Sequence, residues 1–171
     1  MSTGIVSKTG LTGATINGTV YEGTAYDKIT SAVAAENSVA VTEGIYSDGQ
    51  IVMNGDTIIG GEKAVVSGNL NTSTVSSCYG GGAVLVNGGE NTISGMTFSG
   101  NDYKGATSGG SYGGGAICIQ GGALTLDNCA FYGNTSTNYA GALFLTSGSG
   151  KQLTIKNSYF YGKYTFLMYF R

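Results

Sequence analysis

Short apolar segments recur along the chain at a nearly constant interval, and each leads into the same four-residue pattern. The pattern is valine or phenylalanine, then serine or tyrosine, then glycine, then asparagine or, in the last copy, lysine. Its copies lie at 66–69, 98–101, 131–134 and 160–163, so that successive copies are 32, 33 and 29 residues apart. A fixed interval of about 20–50 residues is the signature of a repeat architecture. The chain is therefore predicted to consist of stacked copies of one structural unit.

Within each repeat, apolar and polar positions alternate along two short segments. The first segment follows a glycine pair, a glycine triplet or Ala-Gly, and the second leads into the signature. When the repeats are aligned on the signature phenylalanine, one position holds Ile93, Leu126 and Ile155, and the position before it holds Thr92, Thr125 and Thr154. Successive side chains of a strand point to opposite faces. The segments are therefore predicted to be strands, with the aliphatic residues inward and the threonines outward.

One such repeat cannot bury its apolar face, whereas stacked copies cover each other. The short strands, with no helix between them, predict an all-β coil in which each turn adds a rung to parallel sheets. The fold class that we expect from this pattern, together with the family resemblance described below, is a right-handed, single-stranded parallel β-helix, or solenoid. In such a coil, like residues lie above like residues in successive turns. Asn101 above Asn134, and Asn128 above Asn157, are predicted to form amide ladders at the corners.

A different pattern near the N-terminus predicts one helix. Residues 25–37 lack glycine and place Ile29, Ala32, Val33 and Glu36 at helical spacing. We expect a single domain over 1–171, with a cap over 1–38 that includes a helix at about 25–37, and stacked coils over 39–163. The apolar residues 164–171 would form an end strand or a cap. An open strand edge there would favour end-to-end self-association.

Composition narrows the functional classes. Charged residues make up 11% of the chain, the formal net charge is −2, and histidine is absent. No basic stripe is present, so nucleic acid is not an expected partner, and no apolar run is long enough for a membrane-spanning helix. The N-terminal residues lack the pattern of a secretion signal, which indicates either another route or a piece of a longer chain. Cys78, Cys118 and Cys129 are expected to be free buried thiols, with no metal or cofactor bound.

The repeats over 80–163 resemble those of chlamydial polymorphic outer-membrane proteins and related autotransporter adhesins, within the pectin-lyase-like β-helices. Those repeats carry a Gly-Gly-Ala-aliphatic motif and a Phe-x-x-Asn motif. Here 81–84 with 98–101 and 114–117 with 131–134 fit both motifs, whereas Ala140 and Lys163 depart from them in the third copy. The opening at 25–69, with its short helix and Gly44-Ile45-Tyr46, is similar as well. The resemblance implies a bacterial adhesin at the cell surface, associated with the outer membrane or secreted.

Tyrosines are the candidate ligand-binding residues. Tyr132 and Tyr161 occupy the same repeat position and are predicted to face outward, where stacked rings would form a platform for sugars or would shield the sheet edge. Tyr103 and Tyr112 belong to the Gly/Ser-rich segment 101–113, which is predicted to be a long loop, and loops on such scaffolds often carry binding. A glycan or a host surface protein is the expected partner.

Catalytic groups are harder to find. Absence of histidine excludes Ser–His and Cys–His nucleophile systems, and the five aspartates lie at unmatched repeat positions. We therefore expect a non-catalytic, passenger-like adhesin segment. A carbohydrate-active enzyme of the pectin-lyase-like class is the alternative, and two or more carboxylates in one groove with a lysine within reach would favour it. A third candidate is an ice-binding or self-assembling module, because of the threonine column.

Overall fold

A computed structural model of the chain describes residues 2–72, 79–105, 112–137, 139–146 and 149–162, without the side chains of Tyr79, Tyr112 and Tyr139. Within these ranges the chain winds into a parallel β-solenoid of about four turns. Its elements in chain order are β1 Thr3–Val6, β2 Gly13–Ile16, β3 Thr19–Glu22, β4 Thr24–Tyr26, α1 Ile29–Ala35, β5 Ser38–Val41, β6 Gly44–Tyr46, β7 Ile51–Met53, β8 Ile58–Ser67, β9 Leu70–Asn71, β10 Tyr79–Gly81, β11 Val84–Val86, β12 Glu90–Ser99, β13 Asp102–Tyr103, β14 Tyr112–Gly114, β15 Ile117–Ile119, β16 Ala123–Asp127, β17 Ala130–Tyr132, β18 Thr135–Ser136, β19 Tyr139–Ala140, β20 Leu143–Leu145, β21 Gln152–Lys156 and β22 Tyr159–Tyr161.

Four sheets run along the solenoid. The long sheet has the order β21-β16-β12-β8-β5-β1-β4, and β6, β17 and β22 also belong to it; the three smaller sheets are β7-β11-β15-β20, β10-β14-β19 and β9-β13-β18. Every pair in these sheets is parallel, whereas β2 and β3 form an antiparallel hairpin. Each turn of the chain thus adds one rung to the sheets, which confirms the predicted solenoid.

The register matches the sequence repeat residue by residue. Phe98 pairs with Phe131, and Phe131 pairs with Phe160. The ring centroids are 5.0 Å apart in the first pair and 4.6 Å in the second, and in both pairs the rings are stacked and nearly parallel, with interplanar angles of 8° and 3°. Val66 and Tyr46 continue the same inward column toward the N-terminus. All except Phe160, which is partly buried, lie in the buried core.

A ladder of asparagines borders this core at the corner after the signature. Asn69 Nδ2 donates to Asn101 Oδ1 at 3.0 Å, and Asn101 Nδ2 donates to Asn134 Oδ1 at 2.9 Å. Asn101 Oδ1 also accepts from the Asn69 backbone N–H, and Asn101 Nδ2 also donates to the Val66 carbonyl. Asn101 is completely buried, and its amide makes the four hydrogen bonds that an asparagine side chain can make. The predicted ladder is confirmed here and extends to Asn69.

The second predicted ladder does not form. Asn128 and Asn157 are exposed and adopt left-handed backbone conformations, with φ of 53° and 48°. The Asn157 side-chain amide donates to Asp127 at 2.9 Å instead. Gly95 and Lys63 occupy the equivalent position in earlier rungs, and their φ values are also positive. The asparagines thus serve the bend of the long sheet, because asparagine tolerates the left-handed region better than most residues.

The glycine pair that opens each repeat allows adjacent turns to approach closely. A Cβ atom on Gly82 would lie 2.1 Å from the Gly115 carbonyl oxygen, and one on Gly115 would lie 2.0 Å from that of Gly141. Neither distance is sterically acceptable. Glycine is therefore required at this column by contact between successive backbones.

The helix is shorter than predicted. It spans Ile29–Ala35, whereas Thr24–Tyr26 forms β4, which pairs with β1 at the end of the long sheet. Backbone pairing with that strand prevails over helical spacing at the predicted start of the helix. Glu36 has extended dihedral angles and Ser38 already pairs with β1. The helix buries Ile29 and Ala32 and contacts β7, so that it covers the first rung of its sheet as the predicted cap does.

Removal of one ring from the phenylalanine stack should be costly. We expect Phe131→Ala to lower the free energy of unfolding by about 3–5 kcal/mol, because it leaves a cavity between two rings. Tyr132→Ala is the matched control, since this aromatic neighbour on the same strand points outward, and it should cost less than about 1 kcal/mol. Urea denaturation of both variants measures the difference. Equal losses would contradict an inward stack.

The asparagine ladder predicts a pH-dependent variant. In Asn101→Asp, an oxygen replaces the nitrogen that donates to Val66 and Asn134, so an ionised carboxylate would face two acceptors in a buried site. The folded-state pKa of the new carboxyl should therefore rise above the ordinary value of about 3.9. The folded state then binds more protons than the unfolded state, and its stability declines as the pH rises from about 4 to 7.

The control for this variant is Asn128→Asp at the exposed bend. Its carboxyl should titrate near the ordinary pKa and add little pH dependence. The measurement is the urea midpoint of each variant between about pH 4 and pH 7, relative to the unsubstituted chain. A pH profile for Asn101→Asp that matches the control would contradict the buried ladder.

Candidate functional site

Two outward columns of the long sheet, beyond its bend, form a continuous surface that we call the outer strip. They alternate along each strand with the inward phenylalanine column, and the ladder register places their members side by side in successive rungs. The first column is Ile45, Val65, Thr97, Ala130 and Tyr159, and the second is Ser67, Ser99, Tyr132 and Tyr161. None of these nine residues is charged.

Three tyrosines occupy the C-terminal end of the strip. Tyr132 is 45% exposed, Tyr159 75% and Tyr161 82%, and Tyr161 lies directly beside Tyr132 in the register. The outward orientation predicted for Tyr132 and Tyr161 is confirmed. Sequence reasoning missed Tyr159, although strand alternation would have placed it on the same face as Tyr161, two residues later.

Hydroxyl groups and aliphatic side chains, among them the exposed Ile45, fill the rest of the strip. Ser99 Oγ donates to Ser67 Oγ at 3.2 Å, and Ser47 Oγ donates to the Ser67 carbonyl at 2.5 Å. Serine, threonine and tyrosine hydroxyls can each donate and accept. The strip therefore combines exposed aromatic rings with hydroxyls that can form hydrogen bonds in either direction.

Tyr103 does not belong to any exposed surface. Its side chain is completely buried, and its ring lies beside two glycines of successive turns. A Cβ on Gly80 would lie 2.8 Å from the ring, and one on Gly113 would lie 2.5 Å from it. The space that these glycines leave empty holds the ring, so Tyr103 is a core residue and not available to a surface ligand.

The predicted loop over 101–113 is also shorter than expected. Asn101 belongs to the buried ladder, Asp102–Tyr103 is β13, and Tyr112–Gly114 is β14, paired with β10. Residues 106–111 and the side chain of Tyr112 lie outside the described part of the structure. The ends of the predicted loop are therefore rungs of the solenoid.

The aspartates have separate local roles. Asp48 Oδ1 lies 3.5 Å from Lys8 Nζ, and Asp48 Oδ2 accepts a hydrogen bond from the backbone N–H of Ile29 at the start of α1. Asp56 accepts from the Glu90 N–H, and Asp102 accepts from the Thr135 hydroxyl. These carboxylates stabilise a helix end and turns, and they do not converge on one groove.

Three glutamates, in contrast, border the same groove. A cavity of about 480 Å³ lies beside the β2–β3 hairpin, which packs Ile16 against Ile5 and Ala40 on the outer face of the long sheet. Leu11, Val20 and Tyr21 contribute apolar lining, and Glu22, Glu43, Glu62 and Lys63 contribute charge. Lys63 Nζ lies 4.0 Å from Glu43 Oε2, and Glu62 accepts from the backbone N–H of Asn17 at 3.0 Å. Sequence reasoning considered only aspartates and missed this groove.

The threonine column is confirmed in register, with Thr92, Thr125 and Thr154 in successive rungs. The neighbouring outward column contains Ser94, Asp127 and Lys156. A single line of threonines thus lies beside a column that contains charged groups.

The two described cysteines lie in the core. Cys118 and Cys129 are buried, as expected, whereas Cys78 lies outside the described residues. Burial raises the pKa of the Cys129 thiol, which reduces the fraction of reactive thiolate. These thiols therefore behave as small core residues.

The last described turn leaves part of the core less covered. Leu153 and Ile155 are partly buried, whereas Leu124 and Leu126, one rung earlier, are buried. The expected end strand or cap at 164–171 lies outside the described residues. The end-to-end association predicted from this segment stays a prediction.

Among the described residues, none of the helices has the length and apolar character needed to cross a bilayer. The same residues include no cluster of three carboxylate or thiol side chains arranged to hold a metal ion. Comparison with protein-family models, with curated proteins and with solved structures finds no match. The class of protein is thus defined by the fold alone, as a parallel β-solenoid.

Proposed function

We propose that the chain is a non-catalytic binding module, a passenger-like adhesin segment that acts at a cell surface or outside the cell. The observation that carries this proposal is the outer strip, with its three exposed tyrosines on a rigid sheet. Tyrosine provides a large amphipathic contact area with few rotatable bonds to restrict on binding. A solenoid supports this role because it holds such side chains at fixed spacing along one face.

The resemblance to polymorphic outer-membrane proteins and autotransporter adhesins gives the proposal a biological setting. It rests on the Gly-Gly-Ala and Phe-x-x-Asn motifs, which in this structure account for close turn-to-turn contact, ring stacking and the asparagine ladder. Such motifs specify the scaffold, and a scaffold alone does not determine function. The assignment to the cell surface is accordingly a part of the proposal.

Loss of two of the tyrosines should weaken binding without loss of the fold. We expect Tyr132→Ala combined with Tyr161→Ala to weaken binding to a cell-surface or glycan-array ligand by about tenfold or more, as for aromatic anchors at other interfaces. Leu70→Ala is the matched control, because Leu70 is a large exposed residue at the far side of the asparagine corner. Circular dichroism and thermal melting would show that all variants remain folded. Equal binding by the double variant and the control would contradict the proposal.

A carbohydrate-active enzyme is the second candidate, and the glutamate groove is the observation that favours it. Paired carboxylates divide acid and base roles in glycoside hydrolysis, and Lys63 lies beside one of them. We expect any such activity to depend on Glu43 or Glu62, so Glu43→Gln and Glu62→Gln would reduce it by at least about a hundredfold.

The measurement is release of reducing ends or of unsaturated products from a panel of neutral and acidic polysaccharides. Glu36→Gln is the control, because Glu36 lies next to the helix and does not line the groove. Turnover that survives both groove substitutions, or no turnover of any polysaccharide, would remove this candidate.

A further inference from the structure

The outer strip has the composition and dimensions of a site for a linear, uncharged glycan. We infer that it binds a neutral polysaccharide chain lying along the solenoid axis, with sugar rings on Tyr161 and Tyr132 and sugar hydroxyls toward Ser99 and Ser67. This inference rests on the proposed binding function and names its ligand class. Four properties of the strip support it.

The first property is the absence of charge. The strip has no lysine or arginine, and one cation at its border, Lys63, lies 4.0 Å from the Glu43 carboxylate. Recognition of carboxylate or sulfate groups on a polysaccharide relies on cationic side chains. The chain as a whole carries a net charge of −2, which would repel rather than attract a polyanion. An uncharged ligand is therefore favoured.

The second property is the mixture of groups. Exposed rings and the small apolar side chains Val65 and Ala130 offer surfaces for the C–H faces of sugars. The hydroxyls of Thr97, Ser99 and Ser67 can donate to and accept from sugar hydroxyls, which have the same dual character. Apolar groups and hydroxyls occur side by side in each column. A sugar ring likewise presents C–H groups on its faces and hydroxyls at its edges.

The third property is direction. The columns run across the rungs, so that neighbouring positions are about 4.8 Å apart along the axis and the two columns are about 7 Å apart. Tyr132 and Tyr161 are adjacent in this direction. A surface with this regular spacing suits a repeating ligand, because successive rungs can contact successive units of an extended polymer.

The fourth property is size. Five rungs and two columns span a strip of about 19 Å by 7 Å, or on the order of 130 Å². A standard protein–protein interface buries about 800 Å² on each partner. A protein partner would therefore extend well beyond the strip, over the charged positions at its borders, such as Asp127 and Lys63. The strip by itself is large enough for a few sugar units.

The test uses the full chain and titration calorimetry with two sets of probes: neutral linear oligosaccharides, such as β-glucan and mannan hexamers, and anionic ones, such as oligogalacturonates and sulfated glycans. We expect a neutral probe to bind with an affinity that changes less than about twofold between low and high salt, because no ion pair forms. Tyr132→Ala should lower that affinity about tenfold, whereas Tyr161→Phe, which keeps the ring, should leave most of it.

A matched pair of substitutions probes the charge argument. Ser99→Asp and Ser99→Asn introduce side chains of similar size at the centre of the strip, but only the first adds a charge that a neutral ligand would have to desolvate. We expect Ser99→Asp to reduce affinity at least about fivefold more than Ser99→Asn does. Thermal melting verifies that both variants fold.

The outcomes separate this inference from the function on which it rests. Salt-independent binding of a neutral probe, lost with Tyr132→Ala and Ser99→Asp, would support both. Binding to anionic probes alone, or to a protein alone, that depends on the tyrosines would overturn the neutral-glycan inference and leave the binding module intact. Binding that is indifferent to every strip substitution, or no binding to any probe or surface ligand, would overturn both.

Discussion

In-register stacking of rungs is the constraint on which the structure depends. Parallel strands lie about 4.8 Å apart, so that every side chain contacts its counterpart one turn before and one turn after. A position therefore has to hold a residue that packs well against its own kind. Phenyl rings meet this requirement, since their centroids are 5.0 and 4.6 Å apart, and so do primary amides, which donate on one side and accept on the other. Glycine meets it where two backbones come too close for a Cβ.

The same constraint organises the surface. Outward residues lie between inward ones on the same strand, and the register that stacks Phe131 on Phe160 also places Tyr132 beside Tyr161. The geometry of the outer strip is thus fixed by the core and not by a loop. A site on regular strands is held more precisely than one on a loop. The same register thus produces both the ordered packing of the core and the regular spacing of the outer strip.

Repeat-based reasoning predicted what the register controls. The phenylalanine stack, the threonine column and the ladder between Asn101 and Asn134 all follow from one alignment, because equivalent residues of successive repeats lie next to each other in the sheets.

Repeat-based reasoning failed where a residue has no equivalent in the other repeats. Tyr103 is buried because glycines of two successive turns leave room for its ring, and no periodicity encodes that. Asn91 stands in an otherwise aliphatic column and is buried, where its amide donates to the carbonyl of Gly88. The groove lies between the first coils and the β2–β3 hairpin, which has no counterpart in the repeats, so that alignment could not bring Glu22 to Glu43 and Glu62.

The last described strand links stability to binding. In β22, the inward Phe160 is flanked by the outward Tyr159 and Tyr161, so the ring that anchors the strand lies between two rings that a ligand would contact. Stacked aromatic pairs contribute about 0.5–1.5 kcal/mol beyond the area they bury, and Phe160 stacks on Phe131 with the ring centroids 4.6 Å apart. A ligand that bridges Tyr132 in β17 and Tyr161 in β22 binds only when the two strands are paired, and by mass action it stabilises that pairing. Binding at the strip and the pairing of β17 with β22 are therefore thermodynamically coupled, because the same register stacks Phe131 on Phe160.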